Sequence, residues 1–305
     1  MKVPILSYTH IVLSIILAVF LLSSTVVSGS RTVQDQLNRQ ITLTDYPERI
    51  IALAPSISEI IFALGEENRL VGVTRFTNYP SEADRLPKVG SYVHLDIEKI
   101  VALKPDICIA VKDGNPREVI DRLQSLNIPV YAVDPRNIDA VMESLLKIGE
   151  LLDAGEKATY LVNDMQSRIE RVKHKVGGID YRPRVFFQIG ISPIVSAGSH
   201  TFIDELIRFA GGINIAAGPV TYPRFSREQV LVMAPEVFII TSMARDKVFE
   251  KVKAQWRRWP DLPAVKNDRI VLVDSDLFDR ASPRIVDALE LLAKLIHPEL
   301  FENIK

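Results

Sequence analysis

The chain has 305 residues, 47% hydrophobic and 25% charged, with 37 basic against 38 acidic side chains; that balance belongs to a folded globular protein and excludes a disordered one. A formal net charge of -1 gives nucleic acid no electrostatic handle. One cysteine rules out an internal disulfide and any Cys-rich zinc or iron–sulfur site, and five scattered histidines argue against a histidine-built metal cage. The length suits two domains.

Residues 1–30 stand apart. Lys2 precedes an apolar run from Ile11 to Val27, interrupted only by Ser and Thr, and Ser28-Gly29-Ser30 follows. This is the layout of a secretory signal peptide; the run also approaches the length of an uncleaved anchor. No cysteine stands near the cleavage region, which excludes a lipoprotein anchor there. The fold is therefore read from residue 31 onward.

Strands are predicted at 49–53, 71–73, 107–111 and 130–133, and helices at 56–64, 96–103 and 117–126. Gly65 is placed to stop the first helix at a C-cap. Cys108 lies within a strand pattern and reads as a small core residue. The alternation predicts an N-terminal lobe over 48–137, a parallel sheet covered by helices. From 138 to about 175 the pattern is almost wholly helical, with a break at Ala154-Gly155. The second of these helices, from about 156 to 175, is polar enough that no broad apolar face is expected. Residues 138–180 thus read as a helical bridge, closed by Gly177-Gly178 and Arg182-Pro183-Arg184. The C-terminal lobe, 181–305, has predicted strands at 184–187, 237–241 and 269–273 and helices at 202–210, 226–233 and 283–296.

An internal repeat ties the two lobes together. Residues 95–106 (LDIEKIVALKPD) match 225–236 (FSREQVLVMAPE). Each begins with a capping side chain, Asp96 or Ser226, followed by a glutamate, an apolar turn, Pro-acid and a strand. Ser226 with Gln229 forms a capping-box pattern. The fold class predicted is α/β: two parallel-sheet lobes of like topology, joined by a long bridging helix, with a ligand cleft between them.

Among motifs for chemistry, G-x-S-x-G, the phosphate loop and H-E-x-x-H are all missing. Facing lobes without a catalytic motif point to binding, and ligands sit beyond the carboxyl ends of parallel strands. The loops predicted there carry Phe76, Tyr92, Val111, Val195, Tyr222 and the segment holding Asp276, Phe278 and Arg280. Loop aromatics stack on bulky planar ligands, and Arg280 with the aspartates would supply directed hydrogen bonds; for any single aromatic, tucking under its own loop is an equal reading. Glu98 and Glu228 occupy equivalent places in the repeat. Two roles fit them: interaction with the helix dipole, or a pair of acidic knobs meeting a symmetric basic partner. His94 and His200 read as solvated loop residues, and Trp256 and Trp259 as helix-end packing.

At this point the chain resembles the periplasmic binding proteins of ABC importers for vitamin B12 and ferric siderophores, with the vitamin B12 carriers nearest. The resemblance spans roughly residues 48–298 and is carried by 95–106, 184–190 (RVFFQIG), 225–231 (FSREQVL) and 278–285 (FDRASPRI). It implies a non-enzymatic, periplasmic, monomeric carrier with no cofactor, delivering a corrinoid to a permease dimer in the inner membrane. It implies docking roles for Glu98 and Glu228, aromatic flanking of the corrin by Phe76, Tyr92 and Tyr222, and polar contacts from Asp276 and Arg280. The chain departs from the B12 carriers at Leu277, Val111 and Val195, which stand in place of aromatics, and at Tyr92 and Tyr222, which stand in place of tryptophans. A ferric siderophore is the runner-up ligand and haem the third, since the tyrosine ligand of haem carriers is offset by one position from Tyr92. A periplasmic hydrolase would have to draw on Ser192, or on Ser199 with His200, and adjacent Ser-His is poor triad geometry.

Overall fold

The computed structural model describes residues 30–43, 45–241 and 248–301. The predicted leader, Ser30 apart, lies outside them. Strands β1 (Arg31–Gln34) and β2 (Gln40–Leu43) form an antiparallel hairpin that has no counterpart among the predicted elements. Buried Asp35 closes its turn, accepting from the backbone N–H groups of Leu37 and Arg39 at 2.9 Å each, the local bonding that favours aspartate in turns.

The N-terminal lobe follows as β3 (Ile50–Ala52), α1 (Pro55–Leu64), β4 (Leu70–Val73), α2 (Ile97–Ala102), β5 (Ile107–Val111), α3 (Arg117–Ser125) and β6 (Val130–Val133). Its four strands are all parallel, in the order β4-β3-β5-β6. Helix α1 ends where Gly65 turns left-handed at φ 81° and its N–H returns to the carbonyls of Ile61 and Phe62. Asp96 caps α2, accepting from the Lys99 N–H at 3.1 Å. Cys108 is buried in β5, and that burial pushes its thiol up to about 12.

Two helices, α4 (Ile138–Leu151) and α5 (Gly155–Gly177), form the bridge. The second is more than a polar spacer. Ala158, Val162, Met165, Ile169, Val172 and Val176 are buried along it, at alternating spacings of four and three. That is a narrow stripe down one side of a helix: the helix has no broad apolar face, yet it buries this seam. Five of the six are Val, Ile or Met, each contributing roughly 1.5–3 kcal/mol when fully buried.

The C-terminal lobe contains β7 (Arg184–Gly190), β8 (Ile194–Ser196), α6 (Phe202–Phe209), β9 (Ile213–Asn214), β10 (Arg224–Phe225), α7 (Arg227–Met233), β11 (Val237–Ile240), α8 (Val248–Trp256), α9 (Pro263–Lys266), β12 (Ile270–Leu272), α10 (Ser275–Phe278) and α11 (Ile285–Ile296). Strands β7, β11 and β12 are parallel, and β9 joins β7 in parallel. On the same side of β7 as β9, and further along the strand, β8 runs antiparallel to β7, with β10 antiparallel to β8 beyond it. The lobes thus share a parallel core and a capped-helix unit, and differ at this hairpin edge. The capping box at α7 is complete: Gln229 N–H donates to Ser226 Oγ at 3.2 Å, and Ser226 N–H donates to Gln229 Oε1 at 2.7 Å.

One hydrophobic cluster runs without a break from the inner face of the N-terminal sheet, through α4 and α5, to the inner face of the C-terminal sheet and α11. Arg168 on α5 adds ion pairs to Asp287 (2.5 Å) and Glu290 (2.7 Å) on α11. Each lobe has a second cluster on its outer face. In the C-terminal lobe this one includes Phe238 packed at a tilt against Trp256, 4.8 Å between centroids, while Trp256 Nε1–H donates to Gln188 at 3.0 Å.

Candidate ligand cleft

The parallel strands of both sheets end on loops that face one another, and each loop is fastened by its own sequence. After β4, the hydroxyls of Thr74, Thr77 and Ser58 are buried together, 3.3 and 3.4 Å apart. This anchors the loop and leaves the ring of Phe76 half-buried at its tip. Gly90 at φ 99° turns the next loop; a Cβ there would stand 2.3 Å from the His94 carbonyl oxygen, so only glycine fits. Ser91 N–H then donates to that carbonyl at 2.9 Å, and Tyr92 is held half-buried.

Asn115 joins three of these loops. Buried after β5, it accepts from the Val111 N–H at 2.8 Å and donates to the carbonyls of Leu53 and Tyr92, each at 2.8 Å. Val111 therefore sits next to Tyr92, partly buried. In the other lobe Val195 on β8 pairs with Arg224 on β10, two residues beyond Tyr222. Gly198 lets this hairpin close: a Cβ would meet the Val220 oxygen at 2.1 Å. Tyr222 is 50% exposed, and the protein crowding its hydroxyl end, with the charges of Asp113 and Asp279, raises its phenol against the opposing Arg136. Asp113 and Arg136 belong to the N-terminal lobe. Tyr92, likewise, is raised by burial and then by Asp279 of the C-terminal lobe. Both tyrosines thus lie within electrostatic reach of the same carboxyl, Asp279.

Asp279 itself is set apart by its surroundings. Thr241 Oγ1–H donates to its Oδ2 at 2.7 Å, while its buried Oδ1 has no hydrogen-bond partner among the described residues. Burial pushes this carboxyl up to about 7, helped by Asp276 and Asp274 and opposed by Thr241 and Arg280. Asp276 reaches the other lobe directly, accepting from Asn78 Nδ2–H at 2.6 Å.

Two expected ligand contacts are corrected. Phe278 is fully buried and packs against Phe187 at 5.7 Å between centroids; it belongs to the core, because the inner side of the short helix α10 faces β7. Arg280 is 7% exposed. Its guanidinium is committed to Glu59 (2.6 Å), the Phe76 carbonyl (2.9 Å) and Asp276 (2.6 Å), so it is a strut between lobes and not a group offered to a ligand. Phe76, Tyr92, Val111, Tyr222 and Asp276 are brought to the cleft loops, and Val195 to the hairpin beside Tyr222. Glu98 and Glu228 stand elsewhere, each exposed in the first turn of its helix. Hydrogen bonds from its own N–H and from Ser226 hold Glu228 below the ordinary glutamate value. A separate hollow of about 510 Å³, lined in part by Arg182, Asp204 and Arg208, opens near the amino end of β7 and is not part of this cleft.

A model of the family described as periplasmic binding protein matches residues 50–277. The chain belongs to that family. Its members are substrate-binding transport proteins, not enzymes. This periplasmic binding protein is 31% identical over 278 residues to an uncharacterized ABC transporter substrate-binding lipoprotein of Bacillus subtilis, covering 89% of this chain and 87% of the relative. The solved periplasmic vitamin B12 binding protein of Vibrio cholerae aligns with a TM-score of 0.72 at 31% identity, over 83% of this chain and 98% of that one. The periplasmic heme-binding protein of Roseiflexus sp. RS-1 aligns with a TM-score of 0.74 at 28% identity, over 83% and 99%. As a substrate-binding component, the protein serves a permease and carries a small-molecule ligand. Among the described residues no helix is long and apolar enough to cross a membrane.

Sequence reading passed over Glu59, Asn78, Asn115 and, as a named contact, Asp279. Asn115 carried a signal: an Asn-Pro step just past a strand marks a turn whose side chain bonds backbone. Glu59 carried a different one, being the one charged residue in a helix segment otherwise made of apolar residues and serines.

Proposed function

We propose that this binding protein captures a corrinoid in the interlobe cleft and presents it to its permease. The observation that carries the reading is the pair of partly exposed tyrosines, Tyr92 and Tyr222, on cleft loops of opposite lobes and both within electrostatic reach of Asp279. Two aromatic faces set on rigid loops suit a bulky ring system held between them. The similarity to the B12 carrier supports the corrinoid within that class. For haem, an iron-ligating tyrosine must reach its phenolate, and burial together with the Asp279 charge drives the Tyr92 phenol the other way.

The continuous core through the bridge limits how far the lobes can close. The signal to the permease then rests on surface features that exist in both lobes, and Glu98 and Glu228 are the docking acids in this reading. Each projects from a capped helix start, and the two are equivalent in the repeat. Residues 1–30 act as the export signal, the mature chain works as a monomer in the periplasm, and no resident cofactor is required.

Titration calorimetry of residues 31–305 with cyanocobalamin, a ferric siderophore and haem tests the ligand. One-to-one binding of cyanocobalamin alone is expected; saturable binding of a siderophore or haem without cyanocobalamin would overturn the corrinoid reading. For docking, Glu98→Ala with Glu228→Ala should impair uptake in cells and leave ligand affinity unchanged. Normal uptake at normal expression would remove the docking assignment.

A further inference from the structure

Glu59 lies in the middle of α1, a helix with seven of its ten residues buried, and its own side chain is 1% exposed. A carboxylate in such a place must be paired and hydrogen-bonded. Among the described residues, its hydrogen-bond partners all come from the other lobe. Arg280 Nη1–H donates to Oε1 at 2.6 Å, Ser282 Oγ–H to Oε2 at 2.6 Å, and Arg284 Nη1–H to Oε1 at 3.3 Å.

These bonds extend to the cleft. Arg280 also donates to the Phe76 carbonyl at 2.9 Å and pairs with Asp276 at 2.6 Å, and Asp276 accepts from Asn78 at 2.6 Å. The Arg284 guanidinium lies over the Tyr79 ring at 3.8 Å. One buried carboxylate therefore gathers residues 276–284 of the C-terminal lobe against loop 76–79 of the N-terminal lobe.

Stability alone does not explain the arrangement. The desolvation of a buried ion pair offsets most of its attraction, and apolar residues of similar size hold a core as well or better. The lobes are already joined through an apolar cluster that includes α4, α5 and α11. What a directed polar network adds is a fixed geometry.

We propose that Glu59 is a positioning residue for the ligand cleft: through Arg280 and Ser282 it sets the spacing of the two lobes at the loops that carry Phe76, Tyr92, Tyr222 and Asp276. This rests on the reading of the cleft as the ligand site. Glu59 touches no ligand; its effect is transmitted by Arg280.

The test uses spin labels on Gln124→Cys and Lys266→Cys, exposed positions in opposite lobes, in the wild-type background and in Glu59→Gln. A third protein combines Glu59→Leu with Arg280→Met, which removes both charges. Interlobe distances are read by double electron–electron resonance, cyanocobalamin affinity by calorimetry and stability by thermal unfolding. Expected for Glu59→Gln is a broadened distance distribution and affinity lowered about tenfold or more. In the apolar pair the thermal midpoint should recover while the distances stay broad and the affinity stays low, a split that a purely stabilising role does not produce. Wild-type distances and affinity in Glu59→Gln would overturn the proposal, as would their recovery together with the midpoint in the apolar pair. If Glu59→Gln fails to fold, the apolar pair decides. If wild-type protein binds no cyanocobalamin, the corrinoid reading fails while the distance distributions still judge Glu59.

Discussion

Asp279→Asn should stabilise this protein, and by an amount that depends on pH. The carboxyl titrates near 7 in the fold against 3.8 as its ordinary value. The folded state thus holds the proton more tightly than the unfolded chain. Whatever stability this group allows is fully present below about pH 4 and is lost as pH rises toward and through 7. Once it is fully ionised the loss amounts to about 4 kcal/mol, from roughly 1.4 kcal/mol for each factor of ten in proton affinity. Asparagine keeps an acceptor for Thr241 Oγ1–H and never ionises. Urea unfolding of both proteins at a series of pH values measures the difference directly. The variant should match wild type near pH 4, gain through the range where Asp279 ionises, and level off above about pH 8. A constant gap between the two proteins from about pH 4.5 to about pH 8.5 would refute the reasoning, and with it the placement of a desolvated carboxyl among Asp274, Asp276, Tyr92 and Tyr222.

Asn115→Ala leaves the Leu53 and Tyr92 carbonyls and the Val111 N–H without their bonds, and should cost about 2–4 kcal/mol by urea unfolding, with weaker cyanocobalamin binding; a loss under about 0.5 kcal/mol would show that water replaces the side chain. Phe278→Ala should cost about 3–5 kcal/mol and leave ligand affinity near wild type, whereas Tyr222→Ala should do the reverse, and equal effects on both quantities in both variants would contradict the division between core and cleft. Cys108, buried with its thiol pushed up to about 12, should resist alkylation in native protein and react in denaturant, with the labelled fraction followed by mass spectrometry; rapid native labelling would count against its strand placement.

Several parts of the candidate cleft were legible because their causes are local. The tyrosines could be assigned to cleft loops since strand ends and loop aromatics are visible in the chain. Which member of 276–280 faces the cleft was not, because α10 is a single turn. Over so short an element, one side chain points to the core and its neighbours to the cleft, with no periodicity to tell them apart. Packing against Phe187 decides that Phe278 goes inward. The stripe on α5 was hidden differently: one apolar residue every three or four positions reads as a polar helix until two neighbours close over it.

The sequence by itself determined the caps at Asp96 and Ser226, the stop at Gly65, the buried strand around Cys108 and the repeat that relates the lobes. Each depends on bonds or patterns that span only a few residues, or on one segment compared with another. Tertiary structure alone decided the fate of Glu59 and Arg280. They are 221 residues apart, and nothing local makes a glutamate in a helix and an arginine in a loop partners. They meet because the bridge brings the lobes together, and a carboxylate without water must take whichever donors the opposing surface presents.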